Sequence, residues 1–345
     1  AEYPVLLLPV SAELPFPDAA ALTRASDIVR AQDNADAGLA LAGDKHLMFS
    51  PAGTAFVMYG RKRRSWIALF DPVGPVGEWQ ELVWQFIERS RDAGARSCFY
   101  QVRPTSLPLY LDAGLQLSKL GEYAYVPLAG FTLSGKRRGN LRTSVNRAER
   151  EGLVFELVEA ADVAPLLGEL RAVSDAWLAR HRAAEKRFSV GAFQDEYLLR
   201  HPVAVVRQDS RIIAFATILV TDRRQEASVD LMRHGDMPNG TMDVLFAKLM
   251  LHFSAQGYAR FGLGMAPLSG MAGHPLASNW HRVGRLLYAH GENFYHFRGL
   301  RAFKEKFDPV WEARYLASPG GVAPLLVLAD VAALISGGYR GVIRK

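Results

Sequence analysis

The chain has 345 residues, 49% hydrophobic and 22% charged, the composition of a folded globular protein long enough for two domains. Its formal net charge of +6 suits an anionic partner. A single cysteine, Cys98, excludes an internal disulfide, and without a CxxC, an HExxH or another tight His/Cys cluster no metal site is expected.

The opening AEYPVLLLPV has no basic stretch before its apolar residues and does not read as a signal peptide; it reads as the start of a piece cut from a longer protein. Residues 46–74, HLMFSPAGTAFVMYGRKRRSWIALFDPVG, predict short strands and turns, with the basic run RKRR (61–64) at a hairpin tip. The next segment, EWQELVWQFIERSRDAG, carries Leu82, Val83, Phe86 and Ile87 at helical spacing, and Gly94 closes it. A strand ARSCFYQV follows, which buries Cys98.

Residues 136–150, KRRGNLRTSVNRAER, hold six cations (Lys136, Arg137, Arg138, Arg142, Arg147, Arg150) against the single anion Glu149. Ser134 as N-cap and Gly152 as C′ residue would bracket a helix. Leu141, Val145 and Ala148 form one apolar stripe, while Arg138, Arg142, Asn146 and Arg150 step along another face. Planar guanidinium groups suit phosphate, so this face is a candidate for polyanion binding.

The second half repeats the plan of the first. PVAVVRQDSRIIAFATILVTDRRQEASVDLMRHG (202–235) gives strands and turns, GTMDVLFAKLMLHFSAQG a helix ended by Gly257, and YARFGLGM a strand. DAGARSCF and AQGYARFG fall at the same place in each half. Two similar α/β domains with mixed sheets are expected, at residues 1–130 and 153–345, joined by a basic helix at 131–152. The loop GMAPLSGMAGHPLASN (264–279) is rich in Gly, Ala and Met and could line an apolar entry. The final apolar run, PLLVLADVAALI (324–335), contains Asp330 and is too short to span a bilayer, so it predicts a docked C-terminal helix.

The element order is that of the acetyltransferase-like (GNAT) fold, but no complete R/Q-x-x-G-x-G/A loop for coenzyme A is present; RDAGAR (91–96) is partial. Several stretches go further: GNLRTSVNRAEREG (139–152), WLARHRAAEKRFSVGAF (177–193), SVDLMRH (228–234), NGTMDVLF (239–246), FGLGMAPLSG (261–270) and GENFYHFRGLRAFKEKFDPVWEARYLA (291–317). Together they resemble the C-terminal cytoplasmic domain of the lysyl/alanyl-phosphatidylglycerol synthase (multiple peptide resistance factor) family, over about residues 30–320. The resemblance implies tandem GNAT domains joined by a positively charged helix. It also implies an aminoacyl-tRNA donor, a phosphatidylglycerol acceptor and no cofactor. The place of work would be the cytoplasmic face of the inner membrane, with an N-terminal transmembrane portion as partner. The product would lower membrane negative charge and give resistance to cationic antimicrobials.

Such a transesterification needs a carboxylate for the α-ammonium, a route for the hydroxyl proton, and a donor to the tetrahedral oxyanion. Asp230 and Arg233, in SVDLMRH, are the first candidates: Asp230 for the ammonium or the proton, Arg233 for phosphate or ribose. Lys304 and Lys306 are candidates for the oxyanion or phosphate, Glu292 is a second carboxylate, and Tyr295 is a donor to an ester oxygen. Lys136, Arg138, Arg142, Arg150 and Arg301 are the phosphate-binding candidates; His181 and His290 qualify as bases by residue type alone. With no acidic cluster awaiting an ε-ammonium, alanyl transfer is favoured over lysyl. The alternatives are a Fem-type peptidyltransferase acting on a peptidoglycan precursor, and a non-catalytic RNA- or membrane-binding module.

Overall fold

The computed structural model describes residues 15–181, 183–271, 297–321 and 323–337. Its first half runs α1 (Ala19–Arg30), β1 (His46–Phe49), β2 (Phe56–Lys62), β3 (Ser65–Leu69), α2 (Trp79–Asp92), β4 (Arg96–Val102), α3 (Leu107–Asp112) and β5 (Gln116–Pro127). Helix α4 (Gly139–Arg150) then leads to β6 (Val154–Val158), α5 (Leu167–His181), α6 (Asp195–Leu198), β7 (Val203–Gln208), β8 (Arg211–Val220), β9 (Glu226–His234), α7 (Thr241–Ala255) and β10 (Arg260–Pro267). The described chain ends with α8 (Phe297–Glu305), β11 (Val310–Ser318) and α9 (Ala323–Ile335).

The expected repeat is present. In each half an antiparallel meander leads to a strand, a crossover helix and a parallel partner: β3, α2, β4 in the first and β9, α7, β10 in the second. Both crossover helices stop where a glycine takes positive φ, at Gly94 and Gly257. The same 6→1 and 5→2 closure ends α4 at Gly152, where Leu153 N–H donates to Ala148 C=O at 3.0 Å and Gly152 N–H to Glu149 C=O at 3.1 Å. The start of α4 differs from expectation. The helix begins at Gly139 with Arg138 before it, and Ser134 lies in the preceding loop and caps nothing. Gly135 at φ +91 turns the chain between them and breaks helical geometry.

All strands among the described residues join one 11-stranded sheet of order β1-β2-β3-β4-β11-β5-β10-β9-β8-β7-β6. Apart from the additional edge strand β6, the order is symmetric about the central β11–β5 pair, so each half lends its last strand to the other. Strand β11 lies between β4 and β5, and β5 between β11 and β10. One face carries a single core drawn from both halves, including Met58, Ile67 and Cys98 with Val205, Phe215 and Leu231. The other carries two cores, one around α7 (Val244, Phe246, Phe253) and one around α2 (Leu82, Val83, Phe86). Cys98 is buried in β4, where burial pushes its thiol up to about 12. Helix α9 docks as expected, with Val327 and Val331 buried and Asp330 accepting from Ser65 Oγ at 2.7 Å.

Candidate active site

Strands β9 and β10 pair over only three positions, the last being Gly262 with Ser228. Beyond them β10 shifts register and stays with β5, while β9 stays with β8. The sheet therefore parts just before Asp230. At the point of parting, Tyr123 Oη donates to Asp36 Oδ1 at 2.8 Å and lies 3.0 Å from Ser228 Oγ. Gly262 is needed there, since a Cβ would stand 2.8 Å from Ser228 Oγ. Beneath them Glu226 is paired with Arg260 at 2.9 Å, yet burial, with Asp36 adding to it, raises its carboxyl to about 7.

Residues three apart on a regular strand face opposite sides. A bulge changes this for Asp230 and Arg233. Ile218 of β8 pairs with Val229 and Ala216 with Met232, so β9 has one residue more than its partner, and Leu231 N–H donates to Thr217 Oγ1 instead. Val229 and Met232 pack with the α7 core and Leu231 with the shared core. Asp230 and Arg233 thus fall together on the shared-core side, within electrostatic reach of each other.

Asp230 accepts from Tyr197 Oη at 2.6 Å and from Gly191 N–H at 2.9 Å. Burial raises its carboxyl, and these donors, with nearby Lys45, draw it back. Lys45 is fully buried and ion-paired to Asp44, whose other oxygen accepts from Phe188 N–H at 2.9 Å. Any side chain at Gly191 would collide with Asp230, at 2.0 Å from Oδ2. Arg233 is held by Glu185 at 2.9 Å and lies over the Trp177 ring at 4.4 Å; burial lowers its guanidinium, and Glu185 opposes that. His181 stacks on Trp177 at 4.4 Å and stands edge-on to His234, packing behind this pair.

The two candidate lysines separate. Lys304 is 3% exposed, and its Nζ donates to the carbonyls of Gly264 and Met265, on β10 where it leaves β9. Burial lowers it from 10.5 to about 7. Lys306 instead bonds Asp243 Oδ1 at 2.9 Å, and Asp243 Oδ2 accepts from Ser144 Oγ at 2.7 Å, tying α8, α7 and α4 together. Arg301 holds Glu122 at 2.8 Å and covers the Trp311 ring at 4.1 Å.

On α4 the stripe Leu141, Val145 and Ala148 is buried, as its spacing predicts. The arginine face is divided. Arg138 lies over Phe131 at 4.1 Å and donates to Thr132 C=O at 2.6 Å, and Arg142 donates to Leu133 C=O at 2.8 Å, so both fasten the preceding loop. Lys136 and Arg150 are exposed, Arg150 bonding within its own helix to Asn146 C=O. Glu292, Tyr295 and His290 lie outside the described residues, as does 272–279 of the apolar loop. Spacing gave no sign of Lys45, Tyr197, Glu185 or Asp36, which come from other elements. Gly191 and Glu185 do fall within the stretch 177–193 already singled out.

Residues 26–318 match the family model described as phosphatidylglycerol lysyltransferase, C-terminal. The chain belongs to that family. The phosphatidylglycerol lysyltransferase of Bacillus subtilis is 38% identical over 287 residues, 82% of this chain but 33% of that protein, so the chain spans about a third of the curated relative. The crystal structure of the C-terminal domain of a putative lysylphosphatidylglycerol synthetase from Agrobacterium fabrum is 51% identical, with a TM-score of 0.84 over 93% of this chain and 98% of that one. The structure of L-PGS from Bacillus licheniformis is 36% identical with a TM-score of 0.80, at the same coverage of both chains. FemX, at 9% identity and a TM-score of 0.55 over 90% of this chain and 98% of that one, shares the fold alone. The expected GNAT-like mixed α/β architecture holds, with one large mixed sheet in place of two.

Proposed function

We propose that the chain transfers an aminoacyl group from a charged tRNA to the glycerol hydroxyl of phosphatidylglycerol, at the cytoplasmic face of the membrane. It would work there beside the membrane portion expected in the full-length protein. The observation that carries this reading is the joining of family membership to a carboxylate, Asp230, set with Arg233 where β9 and β10 part.

In the reaction the lipid hydroxyl oxygen attacks the ester carbonyl, the bond to the ribose oxygen breaks, and the hydroxyl proton passes to that leaving oxygen. Asp230 holds the α-ammonium or takes the proton in transit. Arg233 serves the terminal ribose or phosphate. Of the two lysines, Lys304 is the one for the oxyanion, because it has no carboxylate partner among the described contacts and Lys306 does. Among the described candidates for phosphate, Lys136, Arg142 and Arg150 are exposed, though Arg142, like Arg138 and Arg301, also holds the fold.

The sequence leaned to alanyl because no acidic cluster awaited an ε-ammonium. Of the carboxylates near the site, Glu185 is paired with Arg233 and Asp44 with Lys45. The relatives are named for lysyl transfer, so lysyl is the amino acid to try first, with alanyl beside it. The test is incubation with phosphatidylglycerol vesicles and purified lysyl- or alanyl-tRNA, followed by thin-layer chromatography of the lipid. A new ninhydrin-positive lipid with either donor supports the reading; none with both overturns it.

A further inference from the structure

Lys45 is the cation that the first half of the chain brings to Asp230, and the chemistry above gives it no work. It stands just before β1, whereas Asp230, Arg233, Tyr197 and Gly191 all come from the second half. Its side chain has no exposed surface, so it touches no substrate. Among the described contacts its partner is the neighbouring Asp44. Replacing a buried ion pair by apolar residues of similar volume is often neutral or stabilising, so packing alone does not account for this one.

One short stretch ties the pair to the site. Phe188 N–H donates to Asp44 Oδ2 at 2.9 Å, and three residues on, Gly191 N–H donates to Asp230 Oδ1 at 2.9 Å. The two carboxylates thus hold the two ends of 188–191. Tyr197, which donates to Asp230 Oδ2 at 2.6 Å, lies within electrostatic reach of Asp44. Burial opposes charge on Asp230, and Lys45 favours it as a fixed positive charge. The other ionisable groups around Asp230 are committed elsewhere. Arg233 is held by Glu185 at 2.9 Å. His201, edge-on to Tyr197 at 4.7 Å, is lowered by burial to about 4 and is neutral above that. Both roles given to Asp230, holding an ammonium or taking a proton, need its charged form.

We infer that Lys45 is a positioning residue for aminoacyl transfer, acting through Asp230 as the buried charge that keeps this carboxylate ionised, with Asp44 tempering it. The inference rests on the transfer reading above and adds that the first half supplies the charge on which the second half's carboxylate depends.

The test reads two quantities in the whole chain. One is the pH profile of kcat/KM for transfer from lysyl- or alanyl-tRNA, whichever the wild type uses, to phosphatidylglycerol vesicles. The other is the carbon-13 shift of the Asp230 carboxyl in aspartate-labelled protein, assigned by its loss in Asp230→Asn. Lys45→Met removes a cation, so the acid limb of the profile and the carboxyl titration should both move to higher pH. Activity on that limb should fall about tenfold, the scale of losing an opposite charge near a carboxylate. Asp44→Asn removes an anion and leaves Lys45 uncompensated, so both readouts should move to lower pH. The alkaline side of the profile should stay in place in both variants. A purely structural pair would lower kcat/KM by one factor at every pH and leave the carboxyl titrating as in wild type; that result overturns the inference. A shift of the same sign in both variants overturns it too. If Lys45→Met does not fold, the shift in Asp44→Asn decides alone. If wild type makes no aminoacyl lipid, the transfer reading fails, and the carboxyl titration still decides whether Lys45 sets the charge of Asp230. If wild type is active and the carboxyl moves without the acid limb, that limb belongs to another group and the inference alone fails.

Discussion

At the scale of single residues, the bulge in β9 decides which candidate side chains meet. It puts Asp230 and Arg233 on one side of the sheet although their spacing in a regular strand would part them. Asp230→Asn and Arg233→Ala should each lower turnover by about two orders of magnitude, the usual cost of losing a positioned group, with the fold kept. Near wild-type rates in either variant would make that residue structural. Lys304 offers a second reading of the same site through pH. Unfolded, it titrates at the ordinary 10.5; folded, at about 7. Between those values the unfolded chain binds a proton that the folded chain does not. The charged form is buried at a cost below pH 7, and stability rises with pH through the window by about 1.4 kcal/mol per unit. Urea unfolding should show this rise in the wild type and lose it in Lys304→Met. If Lys304 serves the oxyanion as a cation, kcat/KM should fall as pH rises past about 7, and that limb should vanish in Lys304→Arg, which stays charged. A profile that is the same in wild type and Lys304→Arg would remove Lys304 from the mechanism.

At the scale of elements, helix positions were legible wherever apolar spacing and a terminal glycine agreed. That held for α2, α4 and α7, because a 3.6-residue stripe and a positive-φ stop are local properties. The start of α4 was misjudged because Ser134 is a good N-cap by type, while Gly135 turns the chain before a helix can form. What each arginine of α4 touches was not legible either. Periodicity gives a face, but the loop at 131–135 folds back onto that face and takes two of its cations. The mutational expectation therefore divides. Arg138→Ala should cost about 1–2 kcal/mol in a denaturant melt, from its ring contact and its bond to Thr132. Replacing the exposed Lys136, Arg137 and Arg150 together by alanine should leave the melt unchanged and flatten the salt dependence of tRNA affinity by about 2, at roughly 0.7 per contact. An unchanged slope would leave this surface as solvated charge.

At the scale of the whole molecule, the repeat was visible in the sequence, but the exchange of last strands was not. Strand pairing over so many residues leaves no periodic trace; β11 reads as a strand wherever it goes. The exchange bears on the proposed units 1–130 and 153–345, which we hold as units of repeat rather than units of folding. A piece covering 1–152 would contain β4 and β5 without the β11 that lies between them, and so present two long unpaired edges. A piece covering 153–345 would leave β11 with neither of its partners, and β10 with only three residues of parallel pairing to β9. The opening beside Asp230 depends on that same arrangement, since β5 is what draws β10 away from β9. The intact chain should therefore unfold in one transition, with calorimetric and van 't Hoff enthalpies equal. Each piece expressed alone should aggregate or exchange its amide hydrogens freely, and the two expressed together should form a one-to-one complex that regains transfer activity. If 153–345 alone protects the amides of β9 and β10 as the intact chain does, the halves are separate folding domains, and the shared central strands join two units that were already formed.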